Sequence, residues 1–85
     1  MNLGQRLAAL RTAKGISQTF VANSLYKTPQ WLSNIEKGRR NIGAVELNDV
    51  AQILGVNVSA FLNDKDYNKA LNDINNNQPT GTDGS

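Results

Sequence analysis

The sequence predicts an all-α domain of five short helices. Apolar residues return at spacings of three and four in successive segments, which is the period of a helix with one buried face. Three of these segments open on a residue able to cap a helix, Ser17, Thr28 and Asn57, and three close on a glycine, Gly15, Gly38 and Gly55. Eighty-five residues suffice for one small domain with one modest core. The chain has neither cysteine nor histidine, which excludes disulfides, thiolate nucleophiles, the usual zinc ligand sets and the commonest general base. Packing alone must therefore hold the core together.

The first helix is predicted over 2–14, where Leu3, Leu7 and Leu10 share a face and Gly15 supplies a residue suited to positive φ. Ser17 offers an N-cap oxygen for a second helix over 18–25, with Val21, Ala22 and Leu25 on its apolar side. Thr28 followed by Pro29 starts the third, over 29–37, because proline at the first helical position gives up an amide proton that has no partner there. Leu32 and Ile35 mark its buried face and Gly38 stops it. A fourth helix over 44–54 carries Leu47, Val50, Ala51 and Leu54 and ends at Gly55. Asn57 caps a short fifth helix in which Val58, Phe61 and Leu62 look inward, with Val56 packing just outside it.

The domain is expected to cover 1–63. Beyond it, Tyr67, Ala70, Leu71 and Ile74 keep helical spacing and suggest a short helix at 67–74 in an acidic, polar tail over 64–85. Residues 75–85 have no apolar anchor and read as disordered. Such a tail is compatible with a native end, a linker toward an oligomerisation domain or, at 81–85, a cloning scar.

Charge is unevenly spread. Residues 1–45 hold seven Lys or Arg against one acid, a balance of +6, whereas residues 46–85 hold two against six, a balance of −4. A basic half joined to an acidic half points to a face that binds a polyanion on one side only. No apolar run approaches the roughly 20 residues needed to cross a bilayer, and the N-terminus lacks a signal-peptide stretch, so a cytoplasmic location is expected.

The helices at 18–25 and 29–37 are joined by a turn of a few residues, the arrangement that fits a second helix into the major groove. The order Arg11, Gly15, Ser17-Gln18, Ala22, Leu32, Ile35-Glu36, Gly38 around them resembles the lambda-repressor/Cro-like group, also called the XRE family. The resemblance covers about 3–62 and is carried most specifically by Leu32 to Arg40 and by Leu54 to Ser59. It implies a five-helix domain that binds a pseudo-palindromic operator as a homodimer, in the manner of a repressor, with helix 29–37 in the major groove.

The resemblance also assigns roles. Arg11 and Glu36 fall at positions that pair in family members, and Gln18 at one that lies against a DNA phosphate, though simple capping is the alternative for it. Lys37, Arg39, Arg40 and Asn41, with Thr28 at the head of the helix, are placed to grip the phosphate backbone. Pro29, Gln30, Ser33 and Asn34 face away from Leu32 and Ile35 and are the candidate base contacts. The primary amides of Gln30 and Asn34 suit adenine N7 and N6, and Pro29 a thymine methyl group. Val56, Val58 and Phe61 are the candidate dimer contacts.

Three residues depart from the family pattern. Tyr26 stands in the turn where glycine is usual, so that either the turn adopts another conformation or the angle between the helices changes. Phe20 stands where a polar or acidic residue commonly closes a capping box, so its ring either lies over a neighbouring helix or is partly exposed as a partner surface. Trp31 either covers the edge of the core or lies against the DNA backbone.

A second reading keeps the fold but makes it a protein-binding module that sequesters another regulator, with a protein partner or anti-repressor on the fifth helix or on 67–74. The cluster Lys37, Arg39 and Arg40 favours DNA over that reading. An enzyme fails on inventory, for the chain has no glycine-rich phosphate loop and only scattered carboxylates such as Asp64 and Asp66. No cofactor or metal is implied, and RNA binding lacks both an aromatic stacking sheet and a glycine clamp loop.

Overall fold

Helix ends leave unpaired amides and carbonyls, and this chain satisfies some of them at most ends with local caps. The computed structural model describes residues 1–76, in the order α1 (Leu3–Ala13), α2 (Gln18–Ser24), α3 (Pro29–Glu36), α4 (Ala44–Leu54), a 3₁₀ turn (Val58–Phe61) and α5 (Asp64–Asn76). Asn2 and Gln5 form a capping box on α1, each side-chain oxygen accepting from the other's amide at 2.9 Å. Ser17 Oγ accepts from the Phe20 amide at 3.0 Å and Thr28 Oγ1 from the Trp31 amide at 3.1 Å, with Pro29 in the first position of α3. Asn63 Oδ1 accepts from the Asp66 amide at 2.8 Å, and Asn57 Oδ1 from the Ser59 amide at 3.0 Å. α4 alone among these starts on a glycine, Gly43, without a side-chain cap.

The C-termini of α1 to α4 use one device four times. A residue with positive φ follows the helix, and the next amide reaches back to a carbonyl five residues earlier. These bonds are Ile16 to Arg11, Lys27 to Ala22, Arg39 to Asn34 and Val56 to Ala51, at 2.8–3.1 Å. Glycine occupies the left-handed position three times, at Gly15, Gly38 and Gly55, and Tyr26 takes it once, with φ 59°. The turn thus keeps its left-handed geometry despite the bulky residue, because the motif satisfies the last carbonyls of α2. A non-glycine residue there costs about 1–2 kcal/mol. The Tyr26 side chain offsets none of it by burial, since the residue is 97 % exposed.

One core joins all the helices. Leu7 and Leu10 of α1, Val21 and Ala22 of α2, Leu32 and Ile35 of α3, and Leu47, Val50, Ala51 and Leu54 of α4 are buried together. Ala22 is fully buried where α2 packs on α3, so the small side chain sets the close approach of the two helices. The first turn of α1 sits as tightly on the end of α3: a Cβ at Gly4 would run into the Ile35 carbonyl oxygen.

The expected fifth helix is a single 3₁₀ turn, and this changes which residues face inward. With three residues per turn, Val58 and Phe61 eclipse while Leu62 rotates away. Leu62 is accordingly 55 % exposed instead of inward, and Ala60 is buried in its place. Phe61 is fully buried and the largest such side chain, so it has no surface to offer a second copy and is withdrawn as a dimer contact.

The core continues beyond Asn63. The helix expected at 67–74 runs from Asp64 to Asn76, started early by the Asn63 cap, and packs on α1 and the 3₁₀ turn. Tyr67 is buried in the common core, with Ala70, Leu71 and Ile74 against it. Asn75 and Asn76, expected to be disordered, complete this helix, and the remainder of that expectation, 77–85, lies outside the described residues. Arg6 fastens the helix to α1. Its Nη2 donates to Asp64 Oδ1 at 2.6 Å and its Nη1 to the Phe61 carbonyl at 3.3 Å.

Two outcomes follow from these contacts. Tyr26→Gly removes the left-handed strain and leaves the motif intact, so urea denaturation should show a gain of about 1 kcal/mol with an unchanged m-value. The hydrogen bond and charge of Arg6 hold the Asp64 carboxyl below its ordinary value of 3.8, and hydrogen bonds from Ser59 and Asn63 do the same for Asp66. Depressed carboxyl values contribute stability that is present above 3.8 and lost as pH falls through the folded value. Denaturation at stepped pH should therefore show acid destabilisation setting in below that point, less steeply in Asp64→Asn.

Candidate nucleic-acid interface

α3 divides cleanly into two faces. Leu32 and Ile35 are buried, whereas Pro29 and Gln30 are exposed and Ser33 and Asn34 half-buried on the opposite side. Gln30 and Asn34 lie one turn apart, and Gln30 Nε2 donates to Asn34 Oδ1 at 3.2 Å. This bond restrains both side chains and uses one donor of Gln30 and one acceptor site of Asn34, so each amide keeps further hydrogen-bonding capacity.

The other end of α3 is fixed by a carboxylate. Glu36, with its side chain 7 % exposed, receives Arg11 Nε at 2.7 Å and Arg11 Nη2 at 3.0 Å in a bidentate pair. Arg11 Nη1 donates to the Ile16 carbonyl at 2.8 Å, and Gln18 Nε2 donates to Glu36 Oε1 at 2.8 Å. One carboxylate therefore joins α1, the loop after it, the first residue of α2 and the last of α3. Of the two roles weighed for Gln18 from sequence, capping falls to Ser17 instead, and within the folded chain the Gln18 amide donates to Glu36.

Lys37, Arg39, Arg40 and Asn41 are all exposed, and among the described residues none of these three cations is in an ion pair. Thr28 is exposed with its hydroxyl committed to the cap. Phe20 does not cover a neighbouring helix but is 58 % exposed on α2. Trp31 is half-buried against the core, and the Lys27 ammonium lies 5.5 Å from the centre of its ring. Val56 and Val58 are half-buried against the same core.

Two of these contacts escaped the sequence reading. Lys27 and Trp31 are four apart, which is a legible spacing, whereas Arg6 and Asp64 are 58 residues apart with nothing local to link them. A groove lined by Val56, Ala60, Ala70 and Ile74, with Lys14, Lys69, Asp66 and Asp73 at its polar parts, lies against α5 and takes no residue from α2 or α3. No cluster of potential metal ligands occurs among the described residues, and no helix among them is long and apolar enough to cross a membrane.

The geometry of α2, the left-handed turn and α3 agrees with a match of residues 4–67 to the helix-turn-helix domain family. The chain belongs to the XRE-like helix-turn-helix family. Its members are DNA-binding regulators of transcription. This helix-turn-helix chain is 39 % identical over 64 residues to an uncharacterized HTH-type transcriptional regulator of Sinorhizobium medicae, covering 75 % of the chain and 46 % of that protein. It is 32 % identical over 65 residues to the immunity repressor protein of Bacillus phage phi105, covering 76 % of the chain and 45 % of that protein. The chain thus spans about half the length of these curated relatives. No solved structure matches it.

Removal of the shared carboxylate strands an arginine and an amide together. Glu36→Ala should cost about 2–3 kcal/mol in thermal or urea denaturation, below the roughly 3–5 of a fully buried pair because Arg11 keeps some access to solvent.

Proposed function

We propose that this chain is the DNA-binding module of a transcriptional repressor that occupies a pseudo-palindromic operator as a homodimer, with α3 in the major groove. The observation that carries the reading is the restrained Gln30–Asn34 amide pair, standing opposite the buried face of α3 and followed by the unpaired cations Lys37, Arg39 and Arg40. Gln30 and Asn34, with Ser33 and Pro29 beside them, read base edges. A bidentate amide on adenine contributes about 1–3 kcal/mol of discrimination, so each half-site carries an A·T pair.

Thr28, Lys37, Arg39, Arg40 and Asn41 hold phosphates and set the register without reading sequence. Gln18 reaches a phosphate with the part of its amide that Glu36 leaves free. The two half-sites lie about 34–36 Å apart or a multiple of that, as two-fold symmetry on B-DNA requires. Val56 and Val58 remain as dimer contacts after the loss of Phe61. The chain acts in the cytoplasm, where its DNA is, and needs no cofactor. The similarity to a protein named an immunity repressor supports repression as the outcome of binding.

Selection of bound duplexes from a random pool at moderate salt tests this. An enriched palindrome is expected, whose A·T preference relaxes in Gln30→Ala. Arg39→Ala should instead weaken all sequences about equally and reduce the log-log salt slope by about 0.9. No enrichment at any salt would overturn the reading.

A further inference from the structure

Lys27 takes no part in the interface as described so far. Its amide closes the C-terminal motif of α2 by donating to the Ala22 carbonyl at 2.8 Å, and the next residue, Thr28, caps α3. Its position is therefore set by both helices of the motif at once. Its ammonium lies over the ring of Trp31, which is itself anchored by packing on the core. A cation over an indole face loses freedom without losing its charge. Among the described residues Lys27 is in no ion pair, and neither α2 nor α3 has an acid in its first turn. The charge at this corner is braced but not neutralised.

Lys27 and Lys37 bracket α3. Lys27 stands just before the cap of α3 and Lys37 just after its last residue, so the two cations lie beyond opposite ends of a helix of eight residues, about 12 Å long. With α3 in the groove, a cation beyond each end is placed near the phosphate backbone that borders it. We propose that Lys27, held in place by Trp31, is a further phosphate contact of this chain, gripping the DNA backbone at the leading end of α3 opposite the Lys37 to Arg40 loop. This rests on α3 lying in the major groove as proposed above. Trp31 acts as the positioning residue: it keeps the lysine extended along the motif so that little side-chain freedom is lost on binding. The contact raises affinity for any sequence and contributes nothing to base preference.

The test measures binding to a labelled mixed-sequence duplex of about three turns by anisotropy over a range of salt. Lys27→Ala should lower the log-log salt slope by about 0.9 per protomer, with a melting temperature lowered only by the loss of the cation–π contact, while Lys27→Arg keeps the slope. Trp31→Leu should weaken binding with the lysine present and add nothing once Lys27 is alanine. If Arg39→Ala lowers the slope and Lys27→Ala does not, the Lys27 contact is overturned and the groove reading stands. If the unaltered protein binds without salt dependence, both fall.

Discussion

The buried carboxylate of Glu36 is the constraint on which the rest of the arrangement depends. It draws in two nitrogens of Arg11 and one of Gln18, and Arg11 in turn holds the Ile16 carbonyl. α3 is short, with only two fully buried side chains, and a helix of that length has little intrinsic stability in water. What keeps it at a fixed tilt is a set of contacts at both ends: Thr28 and Pro29 at the start, Glu36 at the finish, and Ala22 and Gly4 allowing α2 and α1 to approach closely. The ion pair costs desolvation, so its value is specificity of position more than net stability. A side chain that must meet a partner to within an ångström needs that fixed position.

The repeated C-terminal motif carries the same logic into the loops. Each positive-φ residue turns the chain sharply while the following amide satisfies a terminal carbonyl, so short connections suffice and the helices stay in contact. The fold accepts strain at Tyr26 because the motif there also sets where Lys27 and the cap of α3 fall. Strain at a site that positions exposed functional side chains is where local rules are commonly broken. The exposed cations that follow α3 and the braced cation that precedes it belong to the basic first half of the sequence, whereas the acids of α5 belong to the second.

Much of this was legible in the residues. Capping side chains, a proline and glycines bound the first four helices to within one residue at each end, since a cap acts over only three or four positions and its signal is local. The two faces of α3 were equally readable, because a single helix period separates Leu32 and Ile35 from Gln30 and Asn34. The Arg11–Glu36 pairing followed from family resemblance and not from spacing. The role of Gln18 within the folded chain was not readable, because three elements had to converge on one carboxylate before its amide had a partner.

What the sequence by itself determined is therefore the helical class, the helix-turn-helix unit, the basic front and the residues on the exposed face of α3. These rest on periodicity, caps and charge, all of which act over short stretches of chain. The tertiary structure alone decided that the segment after Asn57 is a 3₁₀ turn, which buries Ala60 and Phe61 and turns Leu62 outward. It decided that α5 joins the core through Tyr67 and the Arg6–Asp64 pair. The physical reason is common to both: a half-apolar segment has several local conformations of similar free energy, and only the surface it packs against selects among them.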